Sequence, residues 1–520
     1  MMMLYINSNG RDASRCGFSM RFTGISFTFQ AFVFVCLAMA LMSATQAADD
    51  DWQKLPAGYS VEKIETPPGV VLGVSGLTIN SRDELFVCSR EGQVWKYFED
   101  NWSLIAEGLH EPLGLHFDEA TGDILVMQRP EFTRLVDVDK DGRADVFRTV
   151  SDDWGLTDNY HEYAFGLVQD ADGNFYGTLN TSLSWPGWAG SDRWDIGRVH
   201  DSKMGRAAPY RGWSFQIAPD GTFTPWSAGL RSPAGIGINR QGEIFYTDNQ
   251  GDWNASSSLH QIVKGRFHGH PSSLMDHPDF QSKDLNEIST EDYRKMWSRP
   301  AVWMPHGELA NSPGEPTFDY SGGQFGPFNG QIFVGDQTMS NLMRISLEKV
   351  NGQYQGAVWN FIRPLECGVI RQVFDSKGRL YVGQTGRGWR SAGKDIFGLR
   401  RITWDGSTTP MEMKNIRLTK KGFRIVFTQP VDLKALEDPD NFVIESWGYK
   451  YHADYGSPKV DDKRLPVDVR IAPRNPAVVL VDLPLETEKV YRFTLNGISS
   501  QTGDKLTNNI GFYTLNSLRK

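Results

Sequence analysis

One histidine in the sequence has neighbours that suit it to proton transfer. His161 lies in residues 159–163 (NYHEY), directly before an alternating apolar stretch and the turn 170–173 (DADG). This pattern predicts a loop at the end of a β-hairpin, where a rigid sheet presents a side chain to a ligand. A neutral imidazole at that place can accept a proton near neutral pH. The alternative is a histidine that is packed or hydrogen-bonded for structural reasons.

Alternating carboxylates occur in residues 137–145 (DVDKDGRAD). The acidic side chains at the first, third, fifth and ninth positions of this stretch are Asp137, Asp139, Asp141 and Asp145. This spacing, with a glycine at the sixth position, is typical of a loop that binds Ca2+ through carboxylate oxygens. The twelfth position is Arg148 rather than glutamate, so the stretch is not a complete helix-loop-helix calcium hand. We expect a structural calcium site here, with a solvated acidic turn as the alternative.

A second group of titratable residues consists of four histidines. They are His260, His268, His270 and His277. Their spacing could supply nitrogen ligands to zinc. No cysteine lies nearby, and glycine and proline flank His268 and His270, so we prefer a loop at the rim of the fold that touches a ligand. The chain has no Gly-rich phosphate loop and no Gly-x-Ser-x-Gly motif.

The composition limits the class of protein. A chain of 520 residues is too long for one ordinary core, so at least two domains are expected. The 52 glycines and 16 tryptophans indicate a turn-rich β protein with aromatic packing. A net charge of -9 and the lack of a concentrated basic run exclude a nucleic-acid partner, because binding the phosphate backbone needs a basic face.

Residues 1–48 are typical of a signal peptide. Arg11, Arg15 and Arg21 precede an apolar run over residues 31–42, and small residues follow it. This run is shorter than the roughly 20 residues that span a bilayer. We therefore expect cleavage and export to the periplasm or the extracellular space, with no stable membrane span. A membrane anchor is the alternative.

A short motif recurs six times between residues 49 and 408. Each copy has a Gly or Pro, an alternating strand, a polar turn and a second strand rich in Val, Tyr and Phe. The six copies lie at residues 75–87, 112–126, 159–177, 233–246, 316–334 and 371–382. Each copy leaves room for two more strands, so we predict an all-β, six-bladed β-propeller over residues 49–408. A large sandwich or two stacked sheets is the alternative. In the longest insertion, Ser289 followed by two acids predicts a short helix over the propeller rim.

The sequence pattern changes after residues 406–410 (GSTTP). Regularly spaced alternating strands in residues 409–520 predict a small Ig-like β-sandwich. This domain contains no motif for chemistry, so we expect it to pack on the propeller or to contact a polymer or cell surface. Outside the leader only two cysteines remain, Cys88 and Cys367, and a closed ring could bring them together in one disulfide.

Four motifs, taken in order, resemble the glucose/sorbosone dehydrogenase family, which consists of six-bladed propellers that use pyrroloquinoline quinone (PQQ). The matching stretches are residues 160–173, 228–236 (AGLRSPAGI), 247–253 (TDNQGDW) and 263–271 (VKGRFHGHP). More closely, the chain resembles secreted propeller modules of planctomycete-type bacteria, which are often fused to a haem-binding domain. The resemblance covers about residues 55–405, and the chain has no Cys-x-x-Cys-His haem motif of its own.

The resemblance implies a role for His161 and for Arg231. In the family a histidine at this place is the general base, which takes the proton of a sugar hydroxyl while hydride passes to the quinone. Arg231 matches an arginine that binds the cofactor carboxylates, and a guanidinium fork suits a carboxylate. The next residue is Ser232 where the family has asparagine, which departs from the cofactor-binding pattern.

The resemblance also implies four further cofactor-binding residues. Asn249 and Gln250 fall where family members bind a calcium ion that polarises the quinone. Arg387 resembles an arginine of the last blade that faces the channel. His306 lies where the family often has another channel histidine.

Two functional interpretations from different classes follow. The first is an exported, quinone-dependent dehydrogenase that oxidises a sugar or polysaccharide-derived hydroxyl and passes electrons to a separate acceptor such as a cytochrome c. The second is a non-catalytic propeller that binds carbohydrate or an exported protein, since one fold serves many functions. A third possibility is a lyase or hydrolase that uses His161 and Tyr160 without quinone.

Overall fold

The computed structural model describes residues 55–185, 195–386 and 390–520. These residues belong to one unit of packed chain that runs from Asp51 to Lys520. The predicted leader and Arg387 lie outside the described residues. Nearly all of the regular structure is β, as the fold class expected from the sequence requires. None of the described helices is long and apolar enough to cross a membrane.

The strands up to residue 404 form six four-stranded antiparallel sheets and one small pair. In chain order they are β1 (Tyr59–Ile64), β2 (Val74–Ile79), β3 (Leu85–Ser89), β4 (Gln93–Phe98), β5 (Asn101–Ala106), β6 (Gly114–Phe117), β7 (Ile124–Met127), β8 (Phe132–Val136), β9 (Val146–Ser151), β10 (Ala164–Gln169), β11 (Phe175–Leu179), β12 (Ser182–Leu183), β13 (Met204–Gly205), β14 (Trp213–Ile217), β15 (Phe223–Ala228), β16 (Pro233–Ile238), β17 (Ile244–Asp248), β18 (Ser257–Ile262), β19 (Val302–Met304), β20 (Pro313–Phe318), β21 (Ile332–Asp336), β22 (Asn341–Val350), β23 (Gln353–Ile362), β24 (Val369–Phe374), β25 (Leu380–Thr385) and β26 (Phe397–Trp404). The sheet orders are β2-β3-β4-β5, β6-β7-β8-β9, β10-β11-β14-β15, β16-β17-β18-β19, β20-β21-β22-β23 and β24-β25-β26-β1, and β12 pairs with β13.

The first strand of each sheet lies on the inside of a closed ring. β2, β6, β10, β16, β20 and β24 each contact the next in this order, and β24 contacts β2. Glycine permits the closest of these approaches, since a Cβ on Gly114 of β6 would overlap the carbonyl group of Gly166 on β10. The inner strands therefore pack edge by edge around one axis, and the loops at their ends meet there.

The N-terminal strand completes the last sheet. β1 pairs with β26 from Tyr59 opposite Trp404 to Ile64 opposite Leu399. The Tyr59 ring also contacts Phe361 of the neighbouring sheet edge to face, at a centroid distance of 5.0 Å. An aromatic pair in this geometry is favourable beyond its buried area. The two ends of the ring are thus joined by main-chain hydrogen bonds and by a shared aromatic core.

The C-terminal strands extend the fifth sheet. They are β27 (Met413–Leu418), β28 (Gly422–Phe427), β29 (Phe442–Gly448), β30 (Val460–Arg464), β31 (Asp468–Ala472), β32 (Asn475–Asp482), β33 (Lys489–Leu495) and β34 (Ile510–Leu515). β34 pairs with β23, so one sheet of eight strands runs in the order β20-β21-β22-β23-β34-β33-β29-β30. The second sheet, β27-β28-β32-β31, packs on it through a core that includes Trp359 of β23, Phe423 and Tyr513.

The longest insertion carries a short helix, as its sequence predicts. α1 spans Thr290–Met296, and the side chain of Ser289 accepts a hydrogen bond from the backbone N–H of Asp292 at its N-terminus. Short 3-10 turns lie at Pro271–Asp276, Pro278–Phe280, Leu285–Glu287, Leu433–Leu436 and Pro439–Asn441. Cys88 and Cys367 are both buried free thiols, so the disulfide that the ring could have formed is not present.

Candidate active site

A cavity of about 570 Å³ lies where the loops of several inner strands meet. Polar and aromatic side chains dominate its lining and come from almost every part of the ring. They are Arg90, Tyr160, His161, Tyr163, Phe165, Asn180, Trp185, Lys203, Arg231, Ser232, Asn249, Ser312, Gln337 and Tyr455. Among the described residues that line it there is no aspartate or glutamate, while Arg90, Lys203 and Arg231 are cationic. The cavity therefore suits an anionic ligand with an aromatic or ring-shaped body.

His161 is fixed in this cavity by its own loop and by the loop after β11. Its backbone N–H donates to Asn159 Oδ1 (3.1 Å), and the same amide oxygen accepts from the backbone N–H of Leu183 (3.0 Å). The His161 ring lies 2.7 Å from the Thr181 carbonyl oxygen through Nδ1. Because a carbonyl oxygen only accepts, Nδ1 carries the proton and Nε2 has a free electron pair for accepting one.

Ser232 links His161 to two asparagines. Its Oγ lies 3.2 Å from His161 Nε2 and accepts from Asn180 Nδ2, also at 3.2 Å. The Asn249 amide nitrogen donates to Ser232 Oγ (2.9 Å) when its amide oxygen accepts from Arg231 Nη1 (3.1 Å). Since both asparagines donate to this oxygen, the Ser232 proton points to Nε2 of His161. The residue that departs from the family pattern is therefore part of the same hydrogen-bond network.

Burial keeps the His161 ring neutral. Burial, and after it the charge of Arg231, lower the pKa of His161 to about 3, while the hydrogen bond to Thr181 opposes both. The ring is 7% exposed, so it is shielded from bulk water yet lines the cavity. A neutral ring with a free Nε2 can accept a proton, and an anion placed beside Arg231 would raise its proton affinity.

Arg231 is held from behind by Asp248 and packed by Gly251. Asp248, at the end of β17, accepts hydrogen bonds from the backbone N–H groups of Arg231 (2.9 Å) and Ser232 (2.8 Å). Burial raises the pKa of this carboxyl to about 6, and those N–H groups oppose the rise. A Cβ on Gly251 would overlap the Arg231 guanidinium. The Arg231 side chain is buried, yet its Nε has no hydrogen-bond partner among the described residues.

Arg371 of β24 supports the floor of the cavity. Its guanidinium donates to the carbonyl oxygens of Ala234 (2.7 Å) and Leu113 (3.0 Å), and both of those residues line the cavity. Glu315 lies 3.5 Å from its Nε, and burial raises the pKa of Glu315 to about 7. One buried arginine in β24 thus bonds to β16 and to the residue before β6, so it links the inner strands of three sheets beside the cavity.

Two other described residues expected to bind a cofactor, Gln250 and His306, are not in the cavity lining. Gln250 donates from Nε2 to the Ala255 carbonyl oxygen (3.2 Å) and packs against Gly456. His306 follows β19, is exposed, and is held through its backbone N–H by Ser256 Oγ (2.9 Å). Of the described residues in this set, only Arg231 and Asn249 meet His161.

The acidic stretch lies in the turn between β8 and β9. One oxygen from each of Asp137, Asp139 and Asp145 lies within 4.8 Å of the others, and Asp141 is not part of this group. The Asp137 carboxylate accepts from the backbone N–H groups of Lys140 (2.8 Å) and Gly142 (2.9 Å), which stabilises the turn. None of the four acids lines the cavity, so a cation bound here would act on structure alone.

The second histidine group lies mainly in the core. His260, His268 and His270 are buried, and the His260 ring stacks on Tyr246 at a centroid distance of 4.9 Å. Among the described residues, Asp137, Asp139 and Asp145 are the one group of three or more metal-binding side chains close enough to share an ion. The spacing that could have supplied zinc ligands therefore does not bring these histidines around one point.

Comparison of the sequence with family models gives one match. Residues 98–362, just over half of the chain, match the family described as "Domain of unknown function (DUF7133)". The chain belongs to this family. Comparison of the DUF7133 chain with curated proteins finds no match.

Solved structures similar to this DUF7133 chain include three sugar dehydrogenases. They are the PQQ-bound aldose sugar dehydrogenase of Streptomyces coelicolor (16% identity, 67% of this chain and 100% of that chain, TM-score 0.46), the soluble aldose sugar dehydrogenase of Escherichia coli in its apo-form (14%, 66% and 99%, 0.47) and the PQQ domain of a pyranose dehydrogenase of Coprinopsis cinerea in its holo form (12%, 67% and 96%, 0.47).

The sequence pattern of this DUF7133 chain did not single out several of the cavity residues. Asn180 directly follows β11, and its position at a strand end beside the His161 loop was the available signal. Lys203 lies in a long insertion between β11 and β14, where no local pattern marks it. Tyr455 comes from the C-terminal strands, which the sequence analysis had assigned no chemistry.

Proposed function

We propose that this chain is a quinone-dependent dehydrogenase that oxidises a sugar hydroxyl or hemiacetal, with His161 as the proton acceptor. The observation that supports this best is the arrangement of His161 and Arg231 in one cavity. The tautomer of His161 is fixed by Thr181, which leaves Nε2 as an acceptor, and Arg231 brings a buried cation beside it. General-base work requires such an acceptor within hydrogen-bond reach of the substrate proton.

The cavity residues fit PQQ by charge and shape. PQQ is a planar aromatic molecule with three carboxylates, and the described lining is cationic and aromatic with no carboxylate. Arg231 would hold one of those carboxylates, because its buried Nε has no hydrogen-bond partner in the part of the chain that the structure describes. When bound, the quinone would supply the acceptor for the hydride of the sugar carbon.

The calcium ion that the family places near the quinone does not fit Asn249 and Gln250. The amide oxygen of Asn249 faces Arg231 Nη1 at 3.1 Å, so a cation at that oxygen would lie beside a guanidinium. Gln250 packs against Gly456 and donates to Ala255. We therefore assign Asn249 to positioning Ser232 and Arg231. The structural calcium site that the sequence predicts at Asp137, Asp139 and Asp145 stays part of this proposal.

The chain's own residues would move one proton. A substrate hydroxyl takes the place of the Ser232 hydroxyl at His161 Nε2 and transfers its proton to that nitrogen. Burial is the main cause of the low pKa of His161, and the charge of Arg231 is the next one. An anion beside Arg231 offsets that second contribution, so the ring becomes a stronger base when the anion is bound. The buried walls keep water from competing for this proton.

The wider assignment follows from the sequence motifs and the ring of sheets. We propose a six-bladed propeller over residues 49–408, followed by a β-sandwich over residues 409–520. The leader 1–48 would direct export to the periplasm or the extracellular space. Electrons would leave through a separate acceptor such as a cytochrome c. A non-catalytic propeller that binds carbohydrate or an exported protein is the competing assignment.

Reconstitution with PQQ tests the proposal. The purified chain should bind PQQ, seen as a thermal shift and by titration calorimetry, and should then reduce a dye when sugars are added. Arg231→Gln should weaken PQQ binding about tenfold or more, since an arginine-carboxylate pair is lost. Arg143→Gln removes an exposed arginine outside the cavity and is the matched control. If PQQ causes no shift and no sugar in a broad panel causes dye reduction, the dehydrogenase assignment is wrong and the binding assignment takes its place.

A further inference from the structure

A loop between two C-terminal strands supplies one aromatic side chain to the cavity. Tyr455 lies in the loop between β29 and β30, lines the cavity and is 49% exposed. The Arg231 guanidinium carbon lies 5.3 Å from the centre of this ring. A large aromatic side chain that remains half exposed inside a ligand cavity offers an apolar face to whatever enters it.

The loop that carries Tyr455 is held firmly against the ring of sheets. Gly456 N–H donates to the Gly251 carbonyl oxygen (3.0 Å), and Ser457 N–H donates to that of Ala255 (2.9 Å). Nearby, the Tyr451 ring stacks on Trp297 at a centroid distance of 4.8 Å. Main-chain bonds on the C-terminal side of Tyr455 and an aromatic stack before it fix the position of its Cα.

A second aromatic ring and a cation line the same cavity. Trp185 is 42% exposed, and Lys203 Nζ lies 4.3 Å above the centre of its ring. The Asp252 side chain accepts from the backbone N–H groups of Lys203 and of Met204, and Asp252 forms a backbone bridge with Tyr455. The turn that contains Asp252 therefore positions both Lys203 and Tyr455.

The charges of Lys203 and Arg231 favour an anionic ligand over a neutral one. Neither Lys203 nor Arg231 makes a side-chain ion pair with a carboxylate among the described residues, and the described lining has no acid. If Arg231 holds the cofactor, Lys203 is left to face the substrate. The exposed Lys203 ammonium lies over the Trp185 ring in a cavity that is also lined by Tyr455. This combination matches a pyranose that carries an anionic group, because aromatic rings pack on its C–H faces and the lysine pairs with its charge.

We propose that Trp185, Lys203 and Tyr455 form a substrate subsite for an anionic sugar, one that bears a carboxylate or a sulfate. That the bound sugar is oxidised rests on the proposed function, whereas the binding of the sugar does not. It assigns to the C-terminal strands a role in substrate selection. Tyr455 supplies the stacking face and Lys203 supplies the charge.

Binding to the full chain without PQQ tests the subsite separately from catalysis. Glucuronate, glucose 6-sulfate and glucose are compared by titration calorimetry, with acetate and inorganic sulfate as charge-only probes. At least one anionic sugar should bind about fivefold more tightly than glucose, and this preference should shrink as salt screens the exposed lysine. Preference for the carboxylate or for the sulfate identifies the natural anion. Equal binding of all three sugars, or binding of the free ions as tight as that of the sugars, would overturn the proposal.

Matched variants assign the effect to residues. Lys203→Gln should abolish the preference for the anionic sugar, and Lys264→Gln should not, although Lys264 makes a similar contact with Trp226 (4.4 Å) outside the cavity. Tyr455→Ala should weaken the binding of all three sugars about tenfold, whereas Tyr455→Phe and Tyr320→Ala should leave their affinity unchanged. Unchanged binding in Lys203→Gln or Tyr455→Ala contradicts the subsite. If the anionic sugars bind but no sugar is turned over with PQQ, the subsite stands and the dehydrogenase assignment is wrong. If only neutral sugars are turned over, the dehydrogenase assignment stands and the subsite is wrong.

Discussion

His161 and His268 are buried to a similar degree and lose basicity for the same main reason, yet their surroundings differ. Burial lowers the pKa of each ring to about 3. His161 is bonded through Nδ1 to Thr181 and through Nε2 to Ser232, and it lines a cavity. Within residues 55–185, 195–386 and 390–520, neither ring nitrogen of His268 has a hydrogen-bond partner.

The surroundings of His268 explain its role. Its ring lies edge to face against Tyr246 and His260, at centroid distances of 5.4 and 5.6 Å. It serves as an aromatic packing element of the fourth sheet, where a neutral ring is sufficient. A strongly shifted pKa therefore does not distinguish a reactive histidine from a packed one in this protein. Tautomer control and access to a cavity do.

The largest effect on cofactor binding should come from disturbing the cavity without touching His161. Gly251→Ala places a Cβ where the Arg231 guanidinium lies, so the arginine must leave its position. We expect PQQ binding to weaken about 100-fold while the fold persists, because only the end of a flexible side chain is displaced. Titration calorimetry and a thermal melt measure the two quantities.

Gly448→Ala is the control for this change, since a Cβ there meets only ordinary contacts. It should bind PQQ like the unchanged chain. A Gly251→Ala variant with unchanged affinity would show that Arg231 does not hold the cofactor.

An intermediate effect should appear in the pH dependence of stability. The pKa of His268 is about 3 in the folded chain and near 6.5 when unfolded, so below about pH 6.5 the unfolded state binds the extra proton. Stability is therefore lost as the pH falls, by at most about 1.4 kcal/mol per pH unit for this group. His268→Phe should flatten that loss between pH 6.5 and 4 in urea denaturation and should leave PQQ-dependent turnover unchanged. An identical pH slope in the variant would contradict the low pKa of this ring.

The smallest effect should come from the acidic turn. If Asp137, Asp139 and Asp145 bind Ca2+, a chelator should lower the Tm by about 1–2 °C, because the turn is largely exposed and lies away from the cavity. Asp139→Asn should remove this response to the chelator. Turnover should not change in either case. A Tm that does not respond to chelation identifies a solvated turn, stabilised by its own backbone hydrogen bonds.

The parts of the fold that depend on local pattern were readable from the sequence. Alternating strands in six copies gave the inner strands and their hairpins, and Ser289 marked the start of α1. The pairing of β34 with β23 was not readable, because two distant edges meet and neither carries a local signal for the other. The same holds for Tyr455, whose place in the cavity depends on that docking.

The candidate site was readable only where the family motif marked it. The resemblance singled out His161, Arg231 and Asn249, and the structure brings them together. It also singled out Gln250 and His306, which the structure places outside the lining. In the sequence, Ser232 is only a departure from the family motif. Its hydrogen bond to His161 joins residues of two sheets and could not be predicted from the local pattern.

The most direct test compares the two histidines in single-turnover reduction of the PQQ-loaded chain by a sugar, followed by absorbance. His161→Asn keeps a donor for Thr181 and removes Nε2, so the rate should fall about 100-fold to 10,000-fold with PQQ binding retained. His268→Phe should react at the rate of the unchanged chain. A His161→Asn variant that binds PQQ and reacts at the unchanged rate would contradict the assignment of His161 as the proton acceptor.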